Sequence, residues 1–476
     1  MSPGLQQAFS HSGFEMRLAT PSDGRHEILC RGIYNPRWEP KISRNRSAIR
    51  VHLPGSCVVI GAGLAGASVA QALARRGWQV QVLDAASAPA TGASSLPVGL
   101  MVPHVSADDS PRSRLSRAGL RLMLNQARAL LVEGQDWKLS GVLQRRPDAS
   151  LVAPSDPPED APQDTLQGAS HHASAGRPQP GQAQGNAWSS PDNDRLAGTP
   201  WGDGLAQPSP TLWHALAGWI KPERLIKAWL AQPGVQFRGN ASVASIRRRG
   251  DDWVLSDADG GELACAQVVV LAAAMGSTGL LNQMAALPNG LPQIPALHAI
   301  PGQISWAMQR PDDTAVLPAY PVNGLGHLIA HVPFTEGSAA GSQEGFAWFS
   351  GATFESHAGG TVAAHHRANQ ARLNALLPAC ARALADLFDA DKVHSWRNTR
   401  CATADRLPVL GPLMGGDTPT LWISTALGSR GLSLSVLCAE VLAARLSGEP
   451  WPIEASLAGM IDSNRYISPL ALVQHS

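Results

Sequence analysis

The sequence predicts a mixed α/β and α+β fold, in which a Rossmann-type nucleotide-binding half is joined to a second domain. Three observations carry this. A β-α-β unit with a glycine turn occupies residues 56–84, and a second strand–glycine turn–helix follows at 420–446. Between them, residues 290–395 alternate strand-like pieces with one helical stretch. At 476 residues the chain has room for two or three domains and a sizeable core.

The elements follow in order. SCVVI at 56–60 is an apolar run short enough for a buried strand. Leu64 to Arg76 is an Ala-rich helix ended by Gly77, and WQVQVLD at 78–84 is the second strand. PERLIKAWLA at 222–231 opens on a proline and continues as a helix. ASVASIRR and DDWVLSDADGGELACA form a hairpin pattern with glycines at its turn, and QVVVLAAA reads as another buried strand. HLIAHVPF and GFAWFSGATF are strands, AHHRANQARLNALLPACARALADLF is helical, and TLWIST precedes the last glycine turn and helix.

Residues 147–210 contain 11 of the 37 prolines with much Ser, Gly and Gln, which predicts a disordered insertion. Its eight acidic and two basic residues give it a net charge of −6, so the formal +1 of the chain hides about +7 on the remainder. Overall neutrality therefore does not exclude a polyanionic partner. Six scattered cysteines without a C-x-x-C pair, in a chain of this size, predict neither a disulfide framework nor a zinc site. No apolar run reaches the roughly 20 residues of a bilayer span and the N-terminus has no signal-peptide core, so a soluble cytoplasmic protein without membrane contact is expected.

Gly61-Ala62-Gly63-Leu64-Ala65-Gly66 follows a strand, opens a helix, and precedes Asp84 at the end of the next strand. Gly61, Gly63 and Gly66 let backbone approach a pyrophosphate and the helix pack on the sheet. Asp84 suits a ribose hydroxyl and argues against a 2′-phosphate, leaving NAD or FAD.

Thr91-Gly92-Ala93-Ser94-Ser95, QVVVLAAAMGS, RCATADRLPVLGP at 400–412 and Ala426-Leu427-Gly428-Ser429-Arg430-Gly431-Leu432 resemble the D-amino-acid-oxidase-like FAD oxidoreductases. LARRGWQVQVLDAASAPATGAS, AGWIKPERL, TALGSRGLS and LSGEPWPIEASLAGMIDSNRY are similar to the oxidoreductase half of the MnmC family of bifunctional tRNA 5-methylaminomethyl-2-thiouridine biosynthesis enzymes. The resemblance implies FAD as cofactor and a discontinuous substrate domain on a mostly antiparallel sheet. It implies tRNA as partner, with the carboxymethyl group removed oxidatively from 5-carboxymethylaminomethyl(-2-thio)uridine at the wobble position. The alternatives are oxidation of a small amino acid and a non-catalytic flavin-binding remnant. SGFEMRLATPSDGRHEILCRGIYNPRW at 12–38 reads as two strands around an Asp-Gly turn. It resembles the last hairpin of the family's methyltransferase half, against the alternative of an unrelated leader. No methyl transfer by this chain is expected, and a separate methyltransferase is a candidate partner.

The domain boundaries so expected are 1–50 for the N-terminal remnant and linker, 51–146, 211–285 and 396–450 for the FAD-binding domain, 147–210 for the insertion, 286–395 for the substrate domain, and 451–476 for a tail.

By the same resemblance Arg400 would hold a substrate carboxylate with its guanidinium fork. Arg430, in the turn before the last helix, would stand by the reduced flavin, where the helix N-terminus favours negative charge. Ala93, Ser94, Ser95, Val243, Ala272, Gly428, Ser429, Gly431 and Leu432 would contact the cofactor. Two departures from the family pattern, Ala107 before Asp108-Asp109 and Pro301 before Gly302-Gln303, remove positive charge near the expected substrate side. Nucleic-acid contacts are expected among Arg37, Lys41, Arg44, Arg46 and Arg50, among Arg112, Arg114, Arg117 and Arg121, and at Arg247-Arg248-Arg249. His171-His172 and His365-His366 lack a third ligand at recognisable spacing, and no metal is expected.

Overall fold

The computed structural model describes residues 3–19, 29–35, 52–106, 108–145, 189–192, 195–196, 199–202, 211–285, 294–336, 343–354, 360–414 and 419–465. The chain divides into two compact units, residues 1–49 and 50–476. In the first, helix α1 (Pro3–His11) leads into strands β1 (Phe14–Ala19) and β2 (Leu29–Tyr34), which pair antiparallel with Phe14 opposite Tyr34. The hairpin expected here is therefore present. Its Asp-Gly turn lies outside the described residues.

The second unit is built on two large sheets. Its first sheet has the order β11-β4-β3-β15-β22-β21. The strands are β3 (Ser56–Ile60), β4 (Gln79–Leu83), β11 (Val235–Arg238), β15 (Val268–Leu271), β21 (Val409–Pro412) and β22 (Leu421–Thr425). All neighbours run parallel except β21 and β22. β15 and β22 are buried throughout because the sheet is covered on both sides, by helices and by the β-hairpin residues Ile246, Trp253, Leu255, Ala264 and Ala266, which is why they read as unbroken apolar runs rather than alternating ones.

Helix α2 (Leu64–Ala74) follows β3, and its composition of small apolar residues lets it lie within the core. Ser68 donates to the Ser435 carbonyl at 3.1 Å, tying α2 to α10 (Gly431–Ser447). Gly448, left-handed at φ 66°, caps α10. Helix α3 (Pro111–Leu130) packs on α10 so closely that a Cβ on Gly119 would stand 1.7 Å from the Ser433 carbonyl oxygen. Gly119→Ala is therefore expected to cost about 1–3 kcal/mol by overpacking, more than the helix propensity it gains. A lower midpoint in urea unfolding checks this.

The other large sheet has the order β20-β16-β19-β18-β17-β7-β9-β8 and is antiparallel except between β17 and β7. Its strands are β7 (Val142–Arg145), β8 (Ser189–Pro191), β9 (Thr211–His214), β16 (His298–Met308), β17 (Val322–Asn323), β18 (His327–Glu336), β19 (Gln343–Gly351) and β20 (His394–Ala402). Two small antiparallel sheets join β5 (Gly99–Met101), β10 (Gly218–Ile220) and β6 (Trp137–Lys138), and β12 (Ser245–Arg249), β13 (Asp252–Ser256) and β14 (Glu262–Ala266). Helices α4 (Pro222–Leu230), α5 (Ser277–Ala285) and α6 (Asp313–Val316) connect strands.

Three sequence expectations are corrected. The stretch read as one helix is three, α7 (Val362–Leu376), α8 (Pro378–Ala383) and α9 (Ala385–Asp389): Pro378 cannot donate to the preceding turn and sterically opposes continuation of α7, and Leu384, at φ −99° and ψ 0°, leaves the helical region between α8 and α9. Within the 147–210 insertion, the described residues 189–192, 195–196 and 199–202 are folded. β8 pairs with β9, Leu196 is buried, and the Arg195 guanidinium stacks 3.7 Å over the Trp213 ring while bonding Asp192 at 2.7 Å. The start of the expected tail is also packed. Helix α11 (Ala455–Met460) buries Leu457, Ile461 is buried just after it, and Arg445 pairs with Asp462 at 2.8 Å. Among the described residues no helix is long and apolar enough to cross a membrane.

Candidate functional site

A cavity of about 760 Å³ opens at the C-terminal ends of β3, β4, β15 and β22, where a parallel sheet places its ligands. Its volume lies within the roughly 300–1,000 Å³ of small-molecule sites. The glycine turn forms one wall because nothing else fits there. Gly61 adopts φ 106° and a Cβ on it would stand 2.6 Å from the Ala272 carbonyl oxygen; one on Gly66 would stand 1.8 Å from the Gly61 carbonyl oxygen. Gly61 and Gly63 line the cavity, and Gly66 lies behind them where α2 meets the turn.

Asp84 ends β4 and also lines the cavity. Its Oδ2 accepts from the Ala62 N–H at 2.7 Å and its Oδ1 from the Ala86 N–H at 2.9 Å. Each oxygen keeps a further lone pair for a ligand hydroxyl. Ser94 accepts from the Leu64 N–H at 3.0 Å, holding the 93–95 turn against the start of α2. Ala93, Val243, Ala272, Gly428, Ser429, Gly431 and Leu432 all reach the same cavity. Ser95 does not line it; its hydroxyl accepts from Trp396 Nε1 at 2.9 Å. A glycine cradle at a helix start, a carboxylate beyond the second strand and a cavity of this size fit an FAD.

Arg400 lies on β20, where the alternation of HSWRNTRCA puts Trp396, Asn398 and Arg400 on one face. Trp396 and Arg400 both line the cavity. The Arg400 guanidinium lies 4.2 Å over the Phe354 ring, and its Nη2 donates to the Thr353 carbonyl at 2.9 Å. Among the described residues no carboxylate pairs with it. Surrounding protein pushes its pKa down to about 10, which leaves it charged throughout the neutral range. The Pro301 departure pairs with Thr399, so its side chain lies on the other face of β16 from Arg400. In the β16–β20 pairing Ile300 faces Arg400, and a Cβ on Gly302 would collide with Arg400 Nη2 at 1.7 Å. Ala107 lies outside the described residues.

Sequence reasoning missed several members of the site, among them Phe354, His327 and Trp396. His327, at the start of β18, lines the cavity, and burial followed by the Arg400 charge lowers its pKa to about 4, so its imidazole is neutral. Trp396 was detectable from its spacing of four from Arg400 on a strand. Nothing in the sequence marks His327 among the 15 histidines.

Arg430 stands in the turn before α10 and lines the cavity. Burial, then the charges of Arg112 and Arg406, push its pKa down to about 10. Of the other expected basic clusters, residues 37–50 lie outside the described residues. Arg114 pairs with Glu454, Arg117 with Asp109, and Arg249 with Glu262 at 2.9 Å, while Arg248 donates to the Thr420 hydroxyl at 2.8 Å. His366 Nδ1 faces the Ser305 hydroxyl at 2.7 Å, a packing role in the core. His171 and His172 are not among the described residues.

Residues 56–445 match the model of the DAO family, described as FAD dependent oxidoreductase. The chain is 45% identical over 453 residues to a tRNA 5-methylaminomethyl-2-thiouridine biosynthesis bifunctional protein MnmC of Albidiferax ferrireducens, covering 94% of this chain and 64% of that protein. It is 40% identical to the protein of the same name from Verminephrobacter eiseniae, covering 97% and 71%. The first of these relatives is thus matched over less than two thirds of its length. Among solved structures, iminodiacetate oxidase (IdaA) from Chelativorans sp. BNC1 superposes with a TM-score of 0.56 at 18% identity, over 84% of this chain and 97% of that one. Glycine oxidase from Geobacillus kaustophilus does so at 0.56 and 15%, over 87% and 99%.

Proposed function

Because the chain belongs to the family of FAD-dependent oxidoreductases, with FAD as its cofactor, we propose that it oxidises the secondary amine of 5-carboxymethylaminomethyl(-2-thio)uridine at the tRNA wobble position. The observation that carries the proposal is Arg400. An arginine with no carboxylate partner among the described residues faces the cavity that the glycine cradle and Asp84 share, so a substrate carboxylate completes it. The identity of the amine follows the MnmC relatives.

The residues divide the work. Phe354 and the Thr353 carbonyl fix the guanidinium plane of Arg400, which presents its remaining N–H groups to the carboxylate in a fork. Anchoring that group sets the adjacent methylene at a fixed distance from the flavin side of the cavity. His327, held neutral, offers a nitrogen to accept from the amine without adding a second positive charge. Arg430 and the start of α10 favour negative charge at their part of the cavity wall. Gly61, Gly63, Ala93, Ser94, Val243, Ala272, Gly428, Ser429, Gly431 and Leu432 hold the cofactor by backbone and packing, Asp84 through a ribose, and Ser95 through Trp396. When bound, FAD accepts the two electrons released. The amine R–NH–CH2–COO⁻ loses two electrons and two protons to give R–N=CH–COO⁻. Water adds to this imine and releases R–NH2 with glyoxylate.

A second reading, oxidation of a small amino acid, is favoured by Pro301, which leaves no cation at that position of β16, opposite Thr399. Nucleoside analysis separates the two. In cells lacking the protein, wobble uridines are expected to accumulate the carboxymethylaminomethyl form, and the purified yellow protein to convert it with release of glyoxylate. Unchanged nucleosides together with bleaching of the flavin by glycine or N-methylglycine would establish the second reading.

A further inference from the structure

Register sets one row of residues across five strands of the large antiparallel sheet at the cavity. Trp396 of β20 pairs with Ile304 of β16, Ile304 with Gly351 of β19, Gly351 with His327 of β18, and His327 with Asn323 of β17. Residues in such a row share one face of a sheet, and all five line the cavity. Their neighbours along the strands point the other way: Val322, Leu328 and Trp348 are buried in the core with Leu373 and Leu376 of α7. The alternation therefore turns the Asn323 side chain toward the cavity, one strand spacing of about 4.8 Å from His327. Its amide is partly buried and makes no hydrogen bond among the described residues.

Three polar groups thus follow one another in a fixed order. Arg400 is held by the Thr353 carbonyl, two residues beyond Gly351, which is the strand partner of His327. Asn323 comes after His327, because β18 stands between β19 and β17. The substrate of the proposed reaction carries its polar groups in a matching order. Its carboxylate is followed by a methylene, the amine, a second methylene, and then C5 of the uracil ring, with O4 and N3–H on the adjoining edge. With the carboxylate at Arg400 and the amine at His327, that edge falls next to Asn323. O4 accepts and N3–H donates, and a side-chain amide, which carries a donor and an acceptor side by side, satisfies both at once.

We propose that Asn323 reads the edge of the reacting uracil, donating to O4 and accepting from N3–H, and so makes the site specific for an amine borne on uracil. This deepens the tRNA reading above and rests on it. Neither contact involves C2, so the 2-oxo and 2-thio forms fit alike. The same edge is open to a protein in a single-stranded loop.

The test uses two anticodon stem–loops, one carrying carboxymethylaminomethyluridine and the other its N3-methyl derivative, which lacks the N3–H and keeps the carboxylate, the amine and O4. The unsubstituted protein is expected to oxidise the first with a kcat/KM at least about tenfold above the second, the discrimination of a two-bond base contact. Asn323→Leu, close in size and without hydrogen-bonding groups, should lower kcat/KM for the first stem–loop by about tenfold or more and bring the two substrates level. Asn323→Ala should do the same, and serves where leucine is not accommodated. Flavin absorbance and thermal unfolding should stay unchanged in both variants, because the amide holds no other described residue. A preference for the unmethylated stem–loop that survives in the variants overturns the inference, and so does an unsubstituted protein that treats the two stem–loops alike. A protein that oxidises neither stem–loop overturns the tRNA reading itself, and shows this before any variant is made.

Discussion

Arg400→Ala is expected to lower kcat/KM for the carboxylate-bearing amine by about 10²–10³, while the purified protein keeps its yellow colour. Truncating one partner of a desolvated charge pair costs about 2–5 kcal/mol, and each 1.4 kcal/mol is about tenfold. The loss should appear mainly in KM if the carboxylate is held equally in ground and transition states, and in kcat if the hold positions the methylene. Arg400→Lys should recover only part of it, because an ammonium neither stacks as a plane on Phe354 nor presents a fork. Flavin absorbance of the isolated protein and steady-state kinetics measure both halves of the expectation. Equal loss of flavin and turnover would make Arg400 a structural residue.

Gly66→Ala is expected to remove FAD altogether or lower its occupancy by at least about tenfold. The added Cβ would lie 1.8 Å from the Gly61 carbonyl oxygen, less than any carbon–oxygen contact allows. Helix α2 must then withdraw from the turn that its first N–H groups and Ser94 define, and overpacking of this kind costs about 1–3 kcal/mol even where the surroundings yield. Backbone atoms on the other side of the contact leave little room to yield. Gly279→Ala is the control: nothing lies within 4 Å of its Cβ, and the helical α5 should gain up to about 1 kcal/mol. Flavin released on heating, measured per mole of protein, and thermal unfolding separate lost cofactor from lost fold.

What was legible in the sequence was local. Gly61, Gly63, Gly66 and Asp84 sit within one β-α-β unit, where each residue's task follows from its neighbours along the chain, and all but Gly66 open onto the cavity. Arg400 and Arg430 came from short motifs in the same way. Contacts set by register between distant strands could not be read. Gly302 lies against Arg400 only because β16 and β20 pair in one alignment, and His327 faces the site only because β18 begins there. The insertion was misjudged in its described residues for a similar reason. Its proline and glycine content dominated the composition, whereas Leu196 and the Arg195–Trp213 stack depend on a strand beyond it. Clusters that looked like open charge, such as Arg114 and Arg117, proved to be neutralised by acids from elsewhere.

The pairing of β8 with β9 also bears on how much chain this scaffold can hold here. β7, β9 and β8 are neighbours, so the chain leaves at Arg145 and re-enters at Ser189 only two strand spacings away, with Ser189 level with His214 and Arg145 with Thr211. At about 4.8 Å between strands and 3.4 Å per residue, the gap is on the order of 14 Å. Because both ends are pinned by the sheet, the entropy of joining them through any flexible connection grows only as the logarithm of its length, about 0.6 kcal/mol for each doubling. The scaffold is thus nearly indifferent to how many residues lie between 145 and 189, and length there is free to drift without disturbing the cavity.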